Sequence, residues 1–304
     1  MPGLLEISKA LGFAPQHIYS VVATRDSQYV EARIAKRAPS VGFRLLNIPK
    51  SGLKGIQRQI ARVYLAPVPV DEAAFAYVKR RGVVEAARRL CGDKSILKID
   101  LKDFFPSITT ERVFGMYRSL GLDAAASNIL TELCVLDNHL PQGAPTSPAI
   151  SNIVLRPLDE MLRNMSNKWE LTYTRYCDDI YFSHQKNFNH PDFLILLHKV
   201  ITDAGFSIND DKTHFYPRGV PRKTLGLLTH NETPSLPGSV RRRMRAQFHR
   251  GSRNIGWGQE NLIRLRGHLE WYKAVYGKNE TYFQYKSVLD TITKIRMHIS
   301  YQSA

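Results

Sequence analysis

Tyr176-Cys177-Asp178-Asp179 constrains this chain more than any other stretch. The alternating run Leu171-Thr172-Tyr173-Thr174-Arg175 precedes it, and Ile180-Tyr181-Phe182 follows. Alternation on both sides of a short polar pair predicts strand, tight turn and strand. Such a hairpin carries two carboxylates at its tip, where they can hold a hard cation. Paired acids at a turn are also common on ordinary surfaces, so the pair needs a second observation.

That observation lies upstream. Ser95-Ile96-Leu97-Lys98-Ile99-Asp100-Leu101-Lys102-Asp103-Phe104-Phe105 begins as an apolar, β-prone strand and ends in acids and aromatics. Asp100 falls near the strand's end, where a neighbouring hairpin can bring Asp178 and Asp179 beside it. Three carboxylates converging there repel one another unless divalent cations neutralise them. Oxygen ligands together with substrate phosphates suit Mg²⁺. Two such ions, roughly 3.5–4 Å apart, activate an attacking hydroxyl and stabilise the leaving oxygen in phosphoryl transfer. This is polymerase chemistry.

A third block separates the acids: Leu140-Pro141-Gln142-Gly143-Ala144-Pro145-Thr146-Ser147-Pro148, then an apolar-periodic run through Ile150, Ile153, Val154, Leu158, Met161 and Leu162. Ser147 followed by Pro148 predicts a helix start, with Ser147 as N-cap. The Pro/Gly loop before it brings backbone close to whatever occupies the site. Pro157 should kink this helix or remove one hydrogen bond.

The order IDLKDFF, LPQGAPTSP, YCDD resembles motifs A, B and C of reverse transcriptases, and the whole chain is most similar to the bacterial retron reverse transcriptases. Arg44-Leu45-Leu46-Asn47-Ile48-Pro49, with Leu53-Lys54 and Ile56-Gln57 after it, is similar to the retron fingers motif. Gly205-Phe206-Ser207-Ile208-Asn209 and Asp211-Lys212-Thr213 resemble motif D, Thr224-Leu225-Gly226-Leu227 the primer grip, and Arg264-Leu265-Arg266-Gly267-His268-Leu269 a thumb helix. The match runs from about Arg44 to about Tyr276. It implies an α+β, right-hand polymerase fold: fingers, a palm with an antiparallel sheet, and a helical thumb. The expected divisions are a helical extension over residues 1–40, interleaved fingers and palm over 41–230, and a basic thumb over 231–304.

The resemblance also implies roles. Asp100, Asp178 and Asp179 match the metal-binding triad, and Leu101 would lend a backbone carbonyl. The implied cofactor is a pair of Mg²⁺ ions, with Mn²⁺ as a substitute. Phe105 falls where the family keeps an aromatic gate against a ribonucleotide 2′-hydroxyl, and a core aromatic is the alternative. Gln142 and Gly143 would line the nascent base pair, and Arg44 the triphosphate. Lys50 and Arg58 would touch template or triphosphate. Lys212 matches a lysine that can protonate pyrophosphate, with a solvated surface lysine as the alternative. Implied partners are a cognate structured noncoding RNA, its DNA product, dNTPs and an effector or toxin protein encoded nearby. The implied activity is RNA-directed DNA synthesis from an RNA 2′-hydroxyl, giving a branched hybrid that serves phage defence.

Two departures bear on this. Retron enzymes carry Asn-Ala-x-x-His before motif A, where this chain reads Ala86-Ala87-Arg88-Arg89-Leu90, and Val-Thr-Gly where it reads Thr224-Leu225-Gly226. Those signatures are associated with recognising the enzyme's own RNA. Another defence-associated reverse transcriptase, with self-, protein- or template-independent priming, therefore stays open, as does an RNA-binding scaffold that restrains an effector.

Composition agrees. At 304 residues with 43% hydrophobic content, the chain can bury a sizeable core. A net charge of +16 implies a polyanionic partner. No apolar run approaches the roughly 18–20 residues that span a bilayer, and no signal peptide is legible at Met1-Pro2-Gly3-Leu4-Leu5-Glu6. Cys91, Cys134 and Cys177 form no CxxC pair, which suits a reducing cytoplasm and no structural zinc. From Ser235 onward thirteen Lys or Arg stand against four acids. Arg241, Arg242, Arg243 and Arg245, then Arg264 and Arg266, are interleaved with Trp257, Trp271 and Tyr272, which suits a nucleic-acid groove, with a solvated basic helix and core aromatics as the alternative. Leu262, Leu265, Leu269, Tyr272 and Tyr276 form one helical stripe, read as thumb core. After the thumb begins, too few acids remain for a second metal site of the RNase H kind.

Overall fold

The computed structural model describes residues 2–35, 42–188, 190–253 and 257–302. The chain opens with helices α1 (Pro2–Leu11) and α2 (Pro15–Ala23), then strands β1 (Tyr29–Ala35) and β2 (Phe43–Pro49), and α3 (Ser51–Ile60). Next come α4 (Val83–Arg89), β3 (Ser95–Asp100), α5 (Thr110–Ser119), α6 (Ala124–Glu132) and the long α7 (Ser147–Lys168). β4 (Thr172–Tyr176), β5 (Asp179–His184), α8 (His190–Asp203) and β6 (His214–Tyr216) follow. The last part holds β7 (Lys223–Thr224), β8 (Leu227–Leu228), α9 (Gly238–Arg253), α10 (Gln259–Tyr276) and α11 (Glu280–Gln302).

Two compact units result. The first comprises Met1–Arg81, Leu97–His184 and Phe188–Phe215; the second comprises Gly82–Ile96, Gln185–Asn187 and Tyr216–Ala304. The centre of the first unit is a four-stranded sheet in the order β4-β5-β3-β6. β3 lies inside it and is buried along almost its whole length, which is why it reads as a continuous apolar run instead of an alternating one. β4 and β5 pair antiparallel from Thr172↔Ser183 to Tyr176↔Asp179. Phe182, Phe193, Leu158 and Leu162 belong to the same core cluster as Ile99 and Leu101, so α7 and α8 pack on this sheet.

Two local readings need correction. The segment 1–40, read as helical, carries α1 and α2 and then a strand. Val30, Ala32 and Ile34 alternate with Glu31 and Arg33, and β1 pairs with β2 from Tyr29↔Pro49 to Ala35↔Phe43. A short period-2 run beside a distant partner loses to helix propensity when read alone. Residues 36–40 of that segment lie outside the described residues. Secondly, Thr146, not Ser147, is the N-cap of α7. Ser147 is the first helical residue, and its hydroxyl donates to the Pro141 carbonyl at 2.7 Å, tying the loop back on itself. α7 continues through Pro157, which sits on its exposed side. A proline there removes one backbone donor without ending the helix.

The second unit has two small cores. Phe248, Leu262, Leu265, Leu269, Tyr282, Leu289 and Ile292 join α9, α10 and α11. Gly251 permits this approach, because a Cβ there would lie 3.0 Å from the Ile292 side chain. The other core joins Val84 and Ala87 of α4 to Leu227, Leu236, Met244 and Val275. Arg222, itself buried, stitches the same region together by donating to the carbonyls of Leu90, Gly92, Lys94 and Thr229. The leucine stripe of α10 is thus core, as its spacing indicates. Trp257, Trp271 and Tyr272 are half-buried against these two clusters, so their rings serve packing before any groove. Their spacing alone could not separate the two uses.

Candidate active site

The YCDD segment is a two-residue hairpin turn. Tyr176 pairs with Asp179, leaving Cys177 and Asp178 at the tip. Cys177 has φ 61°, in the left-handed region that non-glycine residues seldom occupy. Its carbonyl accepts from the Arg175 guanidinium at 3.2 Å, and its Sγ lies 3.3 Å from the Tyr77 hydroxyl.

Asp100 is delivered to this tip by backbone pairing on both sides of it. The Leu101 N–H donates to the Asp178 carbonyl at 3.0 Å. The Asp100 carbonyl accepts from the Asn209 N–H at 2.8 Å, and the Lys102 N–H donates to Ser207 at 2.8 Å. The end of β3 is therefore clamped between the hairpin and the segment 207–209, which is the motif D stretch.

The electrostatics follow from this. Burial pushes the Asp178 carboxyl above the usual carboxylate range, and the charges of Asp179 and then Asp100 push it further. Burial, and then the Asp178 charge, raise the Cys177 thiol to about 12, so it stays protonated. Two ammonium groups offset the other acids. Lys212 Nζ lies 2.8 Å from Asp100 Oδ1, and Lys98 Nζ lies 2.8 Å from Asp179 Oδ1. Lys98 is a site residue that sequence reasoning missed. The signal was available, since Lys98 and Asp100 stand two apart on one strand and so share a face.

Among the described residues, no three His, Cys, Asp or Glu side chains are close enough together to hold a metal ion. The two lysines hold Asp100 and Asp179 in separate ion pairs, so the expected triad shares one electrostatic field without forming a closed ligand cluster. The donor set still fits a hard divalent cation: these are carboxylate oxygens, and the strain on the Asp178 charge is of the sign that a cation relieves.

The remaining candidates divide into groups. Phe105 is half-buried, edge-to-face with Phe104 at 5.3 Å. Gln142 is half-buried and Gly143 exposed. The Asn47 N–H of β2 donates to the Gln142 carbonyl at 2.8 Å, so the strand carrying Arg44 is bonded to the loop before α7. Arg44, Lys50 and Arg58 are exposed along β2, its end and α3. Arg241, Arg242, Arg243 and Arg245 on α9, and Arg264 and Arg266 on α10, are exposed on the second unit. His268 on α10 is held below the usual imidazole range by burial and by the charges of Arg243 and Arg264.

The family of reverse transcriptases (RNA-dependent DNA polymerases) matches residues 34–229. The retron Ec86 reverse transcriptase of Escherichia coli is 31% identical, covering 92% of this chain and 86% of its own length. The chain belongs to the retron reverse transcriptases. The retron Mx65 reverse transcriptase of Myxococcus xanthus is 33% identical over 87% of this chain and 65% of its own length. A solved structure of telomerase from Candida albicans with a fragment of telomeric RNA overlays with a TM-score of 0.47 and 14% identity, covering 88% of this chain and 59% of that one.

As a retron reverse transcriptase, the chain has the α+β, right-hand polymerase fold and is an RNA-directed DNA polymerase. It takes an RNA template and dNTPs, and enzymes of this family use divalent metal ions. Among the described residues, no helix is long and apolar enough to cross a membrane.

Proposed function

We propose that this reverse transcriptase copies part of a cognate structured noncoding RNA into a short DNA, primed from a 2′-hydroxyl of that RNA. The product is then a branched RNA–DNA hybrid that acts in phage defence by restraining an effector protein. The observation carrying the catalytic part is the drawing of Asp100, Asp178 and Asp179 into one electrostatic field at the hairpin tip.

In this reading Asp100, Asp178, Asp179 and the Leu101 carbonyl hold Mg²⁺, or Mn²⁺ in its place. When bound, the ions acidify the attacking hydroxyl and stabilise the leaving oxygen. The chain's own groups do the rest. Phe105 excludes a ribonucleotide by its ring, and Gln142 and Gly143 line the nascent pair. Arg44 holds the triphosphate. Lys212, 53% exposed and paired with Asp100, gives a proton to pyrophosphate once substrate reorganises that pair. Lys98 restrains the Asp179 charge. Lys50 and Arg58 meet the template, and the arginines of α9 and α10 meet the duplex backbone. The fingers and palm are assigned to residues 41–230 and the basic thumb to 231–304. The three free cysteines suit a cytoplasmic setting.

A second reading is a reverse transcriptase that primes without a retron RNA. One observation favours it: where the family keeps Asn and His, this chain has the buried, apolar Ala86 and Leu90, while the retained Ala87 shares a core with Leu227.

The deciding experiment is to express the native locus with its flanks and analyse the nucleic acid that copurifies, for wild type and Asp178→Asn. Sensitivity to RNase, DNase and debranching enzyme is followed by sequencing. A short DNA joined to RNA, present in wild type alone, is expected. Unbranched DNA in wild type alone favours the second reading. RNA alone in both samples points to a scaffold role or to a polymerase awaiting a trigger.

A further inference from the structure

Tyr77 stands outside every role assigned above, and it is not arranged as an idle surface ring. Its φ is 63°, a left-handed backbone that a bulky residue adopts only where its surroundings impose it. Its side chain is 53% exposed, so the strain does not serve to bury it. Its hydroxyl nonetheless reaches the tip of the catalytic hairpin, 3.3 Å from Cys177 Sγ.

The segment that carries it is heavily fastened. The Arg175 N–H donates to Ala73 at 2.7 Å, the Arg175 carbonyl accepts from Phe75 at 2.9 Å, and Ala74 bridges Arg175 in parallel. Asn152 of α7 donates to the Ala76 carbonyl at 2.8 Å. Arg81 donates to the carbonyls of Asp71 and Ala74 at 2.7 and 2.9 Å. Ala73, Ala74, Phe75 and Ala76 are all buried, so Tyr77 is the first exposed side chain past the clamp. Asn152 also accepts from Arg175, the residue whose guanidinium holds the Cys177 carbonyl. One network therefore fixes both the hairpin tip and Tyr77.

We propose that Tyr77 is a substrate contact whose exposed ring packs on the 3′-terminal nucleotide of the growing strand, seating its attacking hydroxyl beside Asp178. The inference rests on the reading of Asp178 as catalytic. The residues read as the wall of the incoming nucleotide hang from motif A, the motif B loop and β2. Tyr77 is instead bonded to the hairpin itself. Besides the incoming phosphates, the group that must come within reach of the hairpin carboxylates is the attacking hydroxyl. An aromatic face also suits that terminus, because every base has a π-face and the terminus changes at each cycle. The clamped, left-handed backbone fixes where the ring stands before the strand arrives.

The test is single-nucleotide extension by the full-length enzyme on two primers annealed to RNA, one ending in an ordinary nucleotide and one in an abasic sugar. Wild type, Tyr77→Phe, Tyr77→Leu and Tyr77→Ala are compared, with melting temperature recorded for each. On the ordinary terminus Tyr77→Ala and Tyr77→Leu should lose roughly tenfold in kcat/KM for primer, while Tyr77→Phe stays near wild type. On the abasic terminus all four should converge, and KM for dNTP should not move. A deficit of equal size on both termini, or full activity of Tyr77→Leu on the ordinary one, overturns the contact. Asp178→Asn is run alongside. Extension by that variant defeats the catalytic reading itself, whereas its inactivity together with a terminus-independent Tyr77 leaves only the Tyr77 contact refuted.

Discussion

Arg175 is a charged side chain buried completely under the Cys177-Asp178 turn, and its geometry explains why a cysteine can hold the left-handed position there. Its guanidinium makes bonds of 2.7 and 2.6 Å to the two oxygens of Asp159, a further bond to Asn152, and one to the Cys177 carbonyl. Tyr173 donates to the same Asp159 at 2.6 Å. Burial disfavours the Arg175 charge, but Asp159 more than offsets this and holds its pKa above the ordinary value. Removing one partner of such a pair strands a buried charge and costs about 3–5 kcal/mol, whereas replacing both by apolar groups is often close to neutral. Asp159→Leu should therefore lower the urea midpoint sharply, and Arg175→Met with Asp159→Leu should recover most of that loss. The double variant still lacks the tether on the Cys177 carbonyl, so its kcat should stay below wild type. A double variant at full rate would show that the tether is dispensable. Asp178 behaves in the opposite sense, since its charge is opposed by burial, Asp179 and Asp100. Asp178→Asn should abolish DNA synthesis yet melt about 2 °C higher in metal-free buffer. A lower melting temperature there would mean that the acids do not repel one another in the free enzyme.

The elements bring these residues together through contacts of differing legibility. The hairpin β4–β5 and the helices α7 and α8 follow from alternation, from Ser-Pro punctuation and from helical spacing. The positions of Asp100 at a strand end and of Asp178 and Asp179 at a hairpin turn were legible because those are local signals. The β7–β8 hairpin was not, because its turn is Leu225-Gly226, with φ 52° and 81°, and a leucine seldom takes the place that favours asparagine or glycine. Lys212 on Asp100 and Lys98 on Asp179 were illegible as pairs, since their partners are far apart in sequence. The contact of the motif B loop with β2 has the same character. Gly143 has φ 128°, and a Cβ there would stand 2.9 Å from the Asn47 carbonyl oxygen, which is backbone and cannot swing aside. Gly143→Ala should displace the loop from β2 without disturbing the buried core. Its expected signature is a KM for dNTP raised roughly tenfold, equivalent to about 1.4 kcal/mol, with a melting temperature within a few degrees of wild type. An unchanged KM would place the incoming nucleotide away from this loop.

At the scale of the whole molecule, the charge of +16 is a statement about partners, because it is fold-neutral and costs the compact state self-repulsion. Its densest exposed expression is α9, whose sequence contains no acid and presents Arg241, Arg242, Arg243 and Arg245 to solvent while Met244 and Phe248 face the cores. Arg241 and Arg245 stand four apart on one face, where like charges weaken a helix slightly. Replacing the four by glutamine should therefore leave thermal stability unchanged or a little higher. Their contribution to RNA binding, in contrast, is read from salt. Each cation on a phosphate releases counterions, so affinity falls with log salt by about 0.7 per contact for single-stranded nucleic acid. If all four arginines meet phosphates, the quadruple variant should flatten that slope by roughly 3, with weakening that is equal across RNA sequences. Fluorescence anisotropy over a KCl series measures it directly. A slope unchanged by the four substitutions would move the nucleic-acid path off these four arginines, and the exposed Arg264 and Arg266 on α10 would be the next to neutralise.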